Sequence, residues 1–164
     1  MFQTNDSISP IRRAGPGDAE TIATLVGELL TEIMQTTGVA AFEFNQAATQ
    51  NRARDLLERE LYVVFIARHP KTTAETGFIS LCETHALYAE GAFGIIPELF
   101  VRPAYRSFGT GAALLDAARH YGQTRGWKRL EVTTPPLPDF QRTMRFYETR
   151  GFSVSGGRKM RRLL

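Results

Sequence analysis

Cysteine is almost absent from this 164-residue chain: Cys82 stands alone, so no internal disulfide can form and no cysteine pair exists to share a zinc ion. His69, His85 and His120 have no ligand spacing among themselves, and we expect no bound metal. Long apolar runs are also missing, which argues against a membrane-spanning segment and against a membrane partner. The first seven residues carry neither a basic stretch nor an apolar one, so a cytoplasmic location is expected. Charge of one sign does not dominate: 20 Lys and Arg against 17 Asp and Glu leave a net +3, which favours an anionic ligand without calling for nucleic acid. The densest basic run, 158–162, reads as the solvated face of a last strand. Repeats, low-complexity tracts and Gly/Ser/Pro-rich linkers are lacking as well, and one domain over 1–164 is the simplest reading. Cys82 itself lies in an apolar run, where a small buried hydrophobe is expected rather than a nucleophile.

What is present is strongly patterned. Residues 8–13 read as a strand, ended by Gly15, Pro16 and Gly17, with Asp18 as N-cap of a helix. Ile22, Leu25, Val26, Leu29, Leu30 and Ile33 then form one apolar stripe at helical spacing. A polar and aromatic stretch leads to a second helix over 49–60. Residues 62–68 and 76–83 read as an antiparallel hairpin, with Gly77 marking a close approach or a bulge. A strand over 93–101 contains Pro97, which cannot donate to a ladder and demands a bulge or a splayed strand. A helix from about Gly109 to a cap at Gly126, a strand over 127–133, a helix over 138–150 and two strands at 152–154 and 158–163 complete the chain.

The strand-to-helix junction carries the chemistry. In Arg106-x-x-Gly109-x-Gly111, glycines remove side chains where backbone must approach a ligand, and the opening amides of the next helix have no intrahelical acceptor. Ala112 and Ala113 occupy the places where a nucleotide P-loop needs Lys and Ser or Thr, so the cradle suits a pyrophosphate held without metal.

Taken with a second motif, Phe146-Tyr147-Glu148 followed by Gly151-Phe152, this junction resembles the GNAT superfamily of acyl-CoA N-acyltransferases. The likeness spans nearly the whole chain. It implies an α/β (α+β) fold with a mixed, centrally antiparallel, splayed sheet flanked by helices, and acetyl-CoA as co-substrate. It also implies that the backbone of Leu99, Phe100 and Val101 pairs with the pantetheine arm, while Arg106, Ser107, Phe108, Gly109, Thr110 and Gly111 hold the pyrophosphate. Two positions depart from the pattern: Phe108 stands where many relatives carry a basic residue, and Phe140 where an Asn is common.

Acyl transfer to an amine also needs a base, because holding a lysine-like amine neutral at pH 7 costs about 4 to 5 kcal/mol. Glu98, interrupting an apolar strand beside the expected pantetheine edge, is the candidate; Glu83 or a water chain is the alternative. The resemblance offers Tyr147 as the acid that protonates the departing thiolate. Glu28, Glu32 and Glu43 could draw a cationic acceptor, and residues 34–50, 85–91 and 155–157 could frame its entrance. The resulting expectation is an acetyl-CoA-dependent N-acetyltransferase acting through a ternary complex on a small-molecule or peptide amine, and the resemblance implies a homodimer as one form of assembly. A non-catalytic CoA-binding module on the same scaffold is the alternative.

Overall fold

A computed structural model describes residues 10–164, which form two compact units, one ending at Thr133 and the other Thr134–Leu164. The first unit holds the sheet. Strand β1 (Ile11–Arg13) leads through a short 3-10 turn into helix α1 (Ala19–Thr37) and then α2 (Gln46–Glu58). Strands β2 (Val63–Arg68), β3 (Glu75–Ala86), β4 (Gly91–Ile96) and β5 (Leu99–Val101) follow, then helix α3 (Thr110–Thr124) and strand β6 (Leu130–Val132). Positions 8 and 9 of the expected first strand lie outside the described residues.

The sheet runs β1-β2-β3-β4-β6, antiparallel except for the parallel β4–β6 pair, and β5 joins it through β3 alone. Strand alternation sends Val64, Ile66, Phe78 and Phe100 to one face, where they form a core with Ile22 and Leu25 of α1 and partly buried Ala53 and Leu57 of α2. The opposite face receives α3: Phe65 meets the Tyr121 ring edge-on at 6.1 Å, and Leu114 and Ala118 are fully enclosed. Both helical stripes read from the sequence thus become the two faces of the sandwich.

Local chemistry moves several boundaries. Asn45 caps α2 by accepting the Ala48 amide at 2.9 Å, so that helix begins at Gln46 rather than at 49. Asp18 occupies the N-cap position of α1, but its carboxylate turns back to the Gly15 amide at 2.9 Å and to both terminal nitrogens of Arg12, and it makes no capping bond. That guanidinium holds the Asp18 carboxyl below its ordinary range. Gly77 serves both expected purposes: a Cβ there would lie 2.4 Å from the Phe100 carbonyl oxygen, and the β2–β3 register slips between Ala67 and Arg68, opposite it.

Gly94 is the tightest of these contacts. A Cβ there would stand 2.3 Å from Cζ3 of Trp127, whose ring also lies over Gly122 of α3. Gly94→Ala is therefore expected to lower stability by roughly 1–3 kcal/mol, through displacement of a buried indole, measured as a lower denaturant midpoint.

In the second unit, the helix expected over 138–150 is confined to α4 (Gln141–Glu148), and the two terminal strands do not form. Gly156 and Gly157 both adopt positive φ, at 82° and 77°, and residues 153–164 are exposed without a ladder partner among the described residues. Isolated strand pairs of this length do not sustain themselves in water.

Candidate active site

The strand expected over 93–101 breaks at Pro97. Upstream, Cys82 pairs with Ile95; downstream, Ile79 pairs with Leu99, so three residues (Ile96, Pro97 and Glu98) face two (Ser80 and Leu81). This is a β-bulge, and it bends the chain where Pro97 could not have donated anyway. Upstream of the bulge β4 is flanked by β6. Downstream, β5 pairs with β3 and, among the described residues, with no strand on its other side. The sheet therefore splays open along β5.

Which groups face the opening follows from the ladder. Ser80 N–H donates to the Glu98 carbonyl at 2.9 Å, and Arg102 N–H to the Thr76 carbonyl at 2.8 Å, so positions 98, 100 and 102 aim their backbone toward β3. Phe100 thus spends its backbone groups inside the sheet, a correction to the expectation that all three residues offer theirs. Leu99 and Val101 point theirs outward, and the Val101 carbonyl already accepts Arg106 Nε at 2.7 Å. The Leu99 N–H and C=O and the Val101 N–H line the edge where an extended ligand can add as a strand.

Glu98 sits at the apex of the bulge on the α1/α2 face. Its carboxylate accepts a short hydrogen bond from the Ser80 hydroxyl, and its own N–H donates back to Ser80 Oγ at 3.1 Å. Burial pushes the Glu98 carboxyl above the usual carboxylate range, and the Ser80 bond pulls part of the way back. Burial and then the Glu98 charge also raise the Cys82 thiol, and the same two causes with Cys82 raise the Tyr62 phenol, so both stay protonated and neutral near neutral pH. A carboxyl with a raised pKa beside an open strand edge has the properties of a general base.

Glu83 does not share them. It accepts the Trp127 indole N–H at 2.7 Å and Arg125 at 3.2 Å, and these bonds hold its carboxyl low. Its work is to anchor Trp127, which removes it as the reserve base.

The phosphate cradle is built from backbone. Ser107 and Gly109 both take positive φ, 68° and 86°, and α3 then starts at Thr110 with Ala113 N–H closing the first intrahelical bond on the Gly109 carbonyl at 2.9 Å. Gly109 carries no capping side chain, and a Cβ there would meet nothing within 4 Å, so the space beside Gly109 is open at the end of α3 whose first amides lack intrahelical acceptors. Ser107, Phe108 and Gly109 are exposed at its rim, while Thr110 is buried. The residues present fit a diphosphate.

Arg106 has another occupation. Its terminal nitrogens donate to both Glu32 oxygens at 2.9 and 2.6 Å, Nε holds Val101, and the guanidinium lies 5.6 Å from the Phe100 ring centroid. One helical turn away, Arg102 grips Glu28 in the same bidentate manner at 2.7 and 2.8 Å. The side chain expected to touch phosphate thus braces the cradle against α1. Glu28 and Glu32, expected to attract an amine, are already neutralised; Glu43 remains exposed.

Tyr147 lies in the second unit, on α4, where its ring packs edge-on between Phe146 and Phe152, each at 5.3 Å between centroids. It is 5% exposed, and burial pushes its phenol well above the ordinary range. Phe140 ends as the N-cap position of α4 and supplies no capping bond. Sequence reasoning missed Ser80 and Tyr62; the available signal was a lone serine inside an apolar strand, two residues before Cys82.

Among the described residues no group of three or more His, Cys, Asp or Glu is placed to hold a metal ion, and no helix is long and apolar enough to cross a membrane. No curated protein matches the chain. Similar solved structures include a putative acetyltransferase from Arthrobacter sp. FB24, 29% identical with a TM-score of 0.73 over 100% of this chain and 97% of that one. An integron cassette protein from the mobile metagenome of Cole Harbour Salt Marsh is 25% identical, with a TM-score of 0.76 over 94% and 90%. A predicted acetyltransferase with acetyl-CoA from Clostridium acetobutylicum shares 15% identity and a TM-score of 0.75 over 93% and 95%, a likeness of fold. A family model described as Acetyltransferase (GNAT) domain matches residues 60–154, which include the bulge, the cradle and the Tyr147 motif. That match takes in more than half of the residues, and the chain belongs to the GNAT acetyltransferase family.

Proposed function

We propose that this acetyltransferase moves the acetyl group of acetyl-CoA directly onto a primary amine while both substrates are bound. The observation that carries the reading is the half-buried Glu98 carboxyl, fixed at the bulge beside the open edge of β5. Acetyl-CoA as donor is supported by the cradle's fit to a diphosphate and by the Clostridium acetobutylicum structure that contains it.

In this reading the outward amides of Leu99 and Val101 receive the pantetheine arm, and the Leu99 N–H polarises the thioester carbonyl. Glu98, in its carboxylate form, takes the proton from the attacking amine as the C–N bond forms, directly or through water. The C–S bond then breaks, and Tyr147 gives its phenolic proton to the departing thiolate. Burial keeps that phenol protonated at working pH, so the proton is always available. Its high pKa makes the transfer uphill unless it is coupled to C–S cleavage, after which the tyrosinate regains a proton from solvent and Glu98 returns its own to solvent. Arg102 and Arg106 hold the cradle and α1 in fixed relation, and touch neither substrate's reacting atoms.

The test is free-thiol release from acetyl-CoA across a panel of polyamines, aminoglycosides, amino acids and peptides. Turnover with at least one amine is expected, and Tyr147→Phe should lower kcat roughly tenfold or more while calorimetric CoA affinity stays unchanged. A CoA-induced rise in Tm with no thiol release for any amine, in wild type and variant alike, is the result of a binding module and defeats the proposal.

A further inference from the structure

The bulge places one more residue in the reaction. We infer that Ser80 is a positioning residue for Glu98, holding the carboxylate in the orientation from which it accepts the amine proton; this rests on the reading of Glu98 as the base.

Four bonds tie the two residues: Ser80 N–H to the Glu98 carbonyl at 2.9 Å, Glu98 N–H to Ser80 Oγ at 3.1 Å, the Ser80 hydroxyl to Glu98 Oε2, and a long contact at 3.5 Å from the same hydroxyl to the Glu98 carbonyl. With its acceptor site filled by the Glu98 amide, the hydroxyl has its single proton free to point at the carboxylate. Ser80 is 1% exposed in the middle of β3, paired with Val64 of β2 and flanked by Ile79 and Leu81. A serine there has no solvent to satisfy it. Its hydroxyl is satisfied by Glu98 alone among the described residues, and it fixes the one side chain that the extra residue of the bulge lets turn away from the ladder.

Among the described residues no competing charge acts on Glu98. The titratable groups that feel Glu98 are Tyr62, just before β2, and Cys82 on β3, both neutral, and no Lys, Arg or His enters the balance at Glu98. Among the described residues Ser80 is the one side chain that hydrogen-bonds the carboxylate and favours its ionised form. Removing the hydroxyl therefore has two consequences that a purely structural serine would not have. The carboxylate loses a donor, so it ionises at higher pH, and it gains rotational freedom, so fewer encounters find it aligned.

The experiment compares pH profiles of kcat/KM for wild type, Ser80→Ala, Ser80→Thr and Glu98→Gln, with CoA affinity and thermal unfolding measured on each. Alongside it, the Glu98 carboxyl is titrated in the free enzyme by carbon-13 NMR, a readout that needs no turnover. In Ser80→Ala the acidic limb and the NMR midpoint should both move up by about one pH unit, and kcat should fall roughly ten- to a hundredfold with CoA affinity retained. Ser80→Thr keeps the hydroxyl and should return both midpoints to wild type. An acidic limb that disappears in Glu98→Gln but stays at its wild-type pH in a folded Ser80→Ala overturns the positioning role and leaves Glu98 as base. If Ser80→Ala does not fold, a wild-type fold in Ser80→Thr with a shifted NMR midpoint overturns it equally. A limb that survives Glu98→Gln defeats the reading of the base, and the role of Ser80 with it.

Discussion

Glu98→Gln is expected to cut turnover by roughly 10²- to 10⁴-fold while CoA binds as before. The substitution preserves shape and an acceptor for the Ser80 hydroxyl, and removes only the capacity to take a proton. The pH profile should change in a defined sense. Burial raises the Glu98 carboxyl above the ordinary carboxylate range, so in wild type kcat/KM falls as pH drops through that raised value and the base becomes protonated. In Glu98→Gln the limb is gone, because an amide does not titrate; what remains is the ionisation of the amine itself. Stability should move the other way. A carboxyl whose folded pKa lies above its unfolded one destabilises the fold when ionised, so the variant should gain stability relative to wild type above that pH and lose the difference below it. Enzyme that retains wild-type turnover and limb would assign the proton to water instead.

The same residue shows how far sequence reasoning reaches. Pro97 and Glu98 were conspicuous because each breaks a rule of an apolar strand, and a broken local rule marks a place where tertiary structure overrides it. The stripe of α1, the amphipathic α3 and the β2–β3 hairpin were legible because burial imposes a period on the residues themselves. Partnerships across long separations were not. Glu28 and Glu32 look like any solvated helix face, and only the fold brings them to Arg102 and Arg106, 74 residues away. Ser80 looks like a tolerated polar residue until the register sets it against the bulge. Glu83 and Glu98 are both carboxylates beside apolar strand residues, yet Trp127 and Arg125 hold one low while burial lifts the other. The absent terminal strands make the complementary point: β-propensity proposes a strand, but a neighbouring edge has to accept it.

The second large effect concerns the cradle. Gly109→Val should weaken CoA binding at least tenfold, for two separable reasons. A β-branched residue at φ 86° carries backbone strain of about 1–2 kcal/mol, which appears as lost stability with or without ligand. A side chain at that position also projects into space where, its chain neighbours apart, no described atom lies within 4 Å of the Cβ, and in the proposed reading it takes the room a diphosphate would use. Gly109→Asn separates them, since Asn tolerates this region of φ yet still fills the opening; it should keep most of the stability and lose CoA affinity. A donor without the diphosphate discriminates further. Turnover with S-acetyl-pantetheine, which can use the β5 edge but has nothing for the cradle, should be nearly the same in wild type and Gly109→Asn. Equal losses for both donors would mean that the substitution distorts β5 and the bulge rather than the cradle, and an undiminished CoA affinity would remove the α3 amides from the binding site altogether.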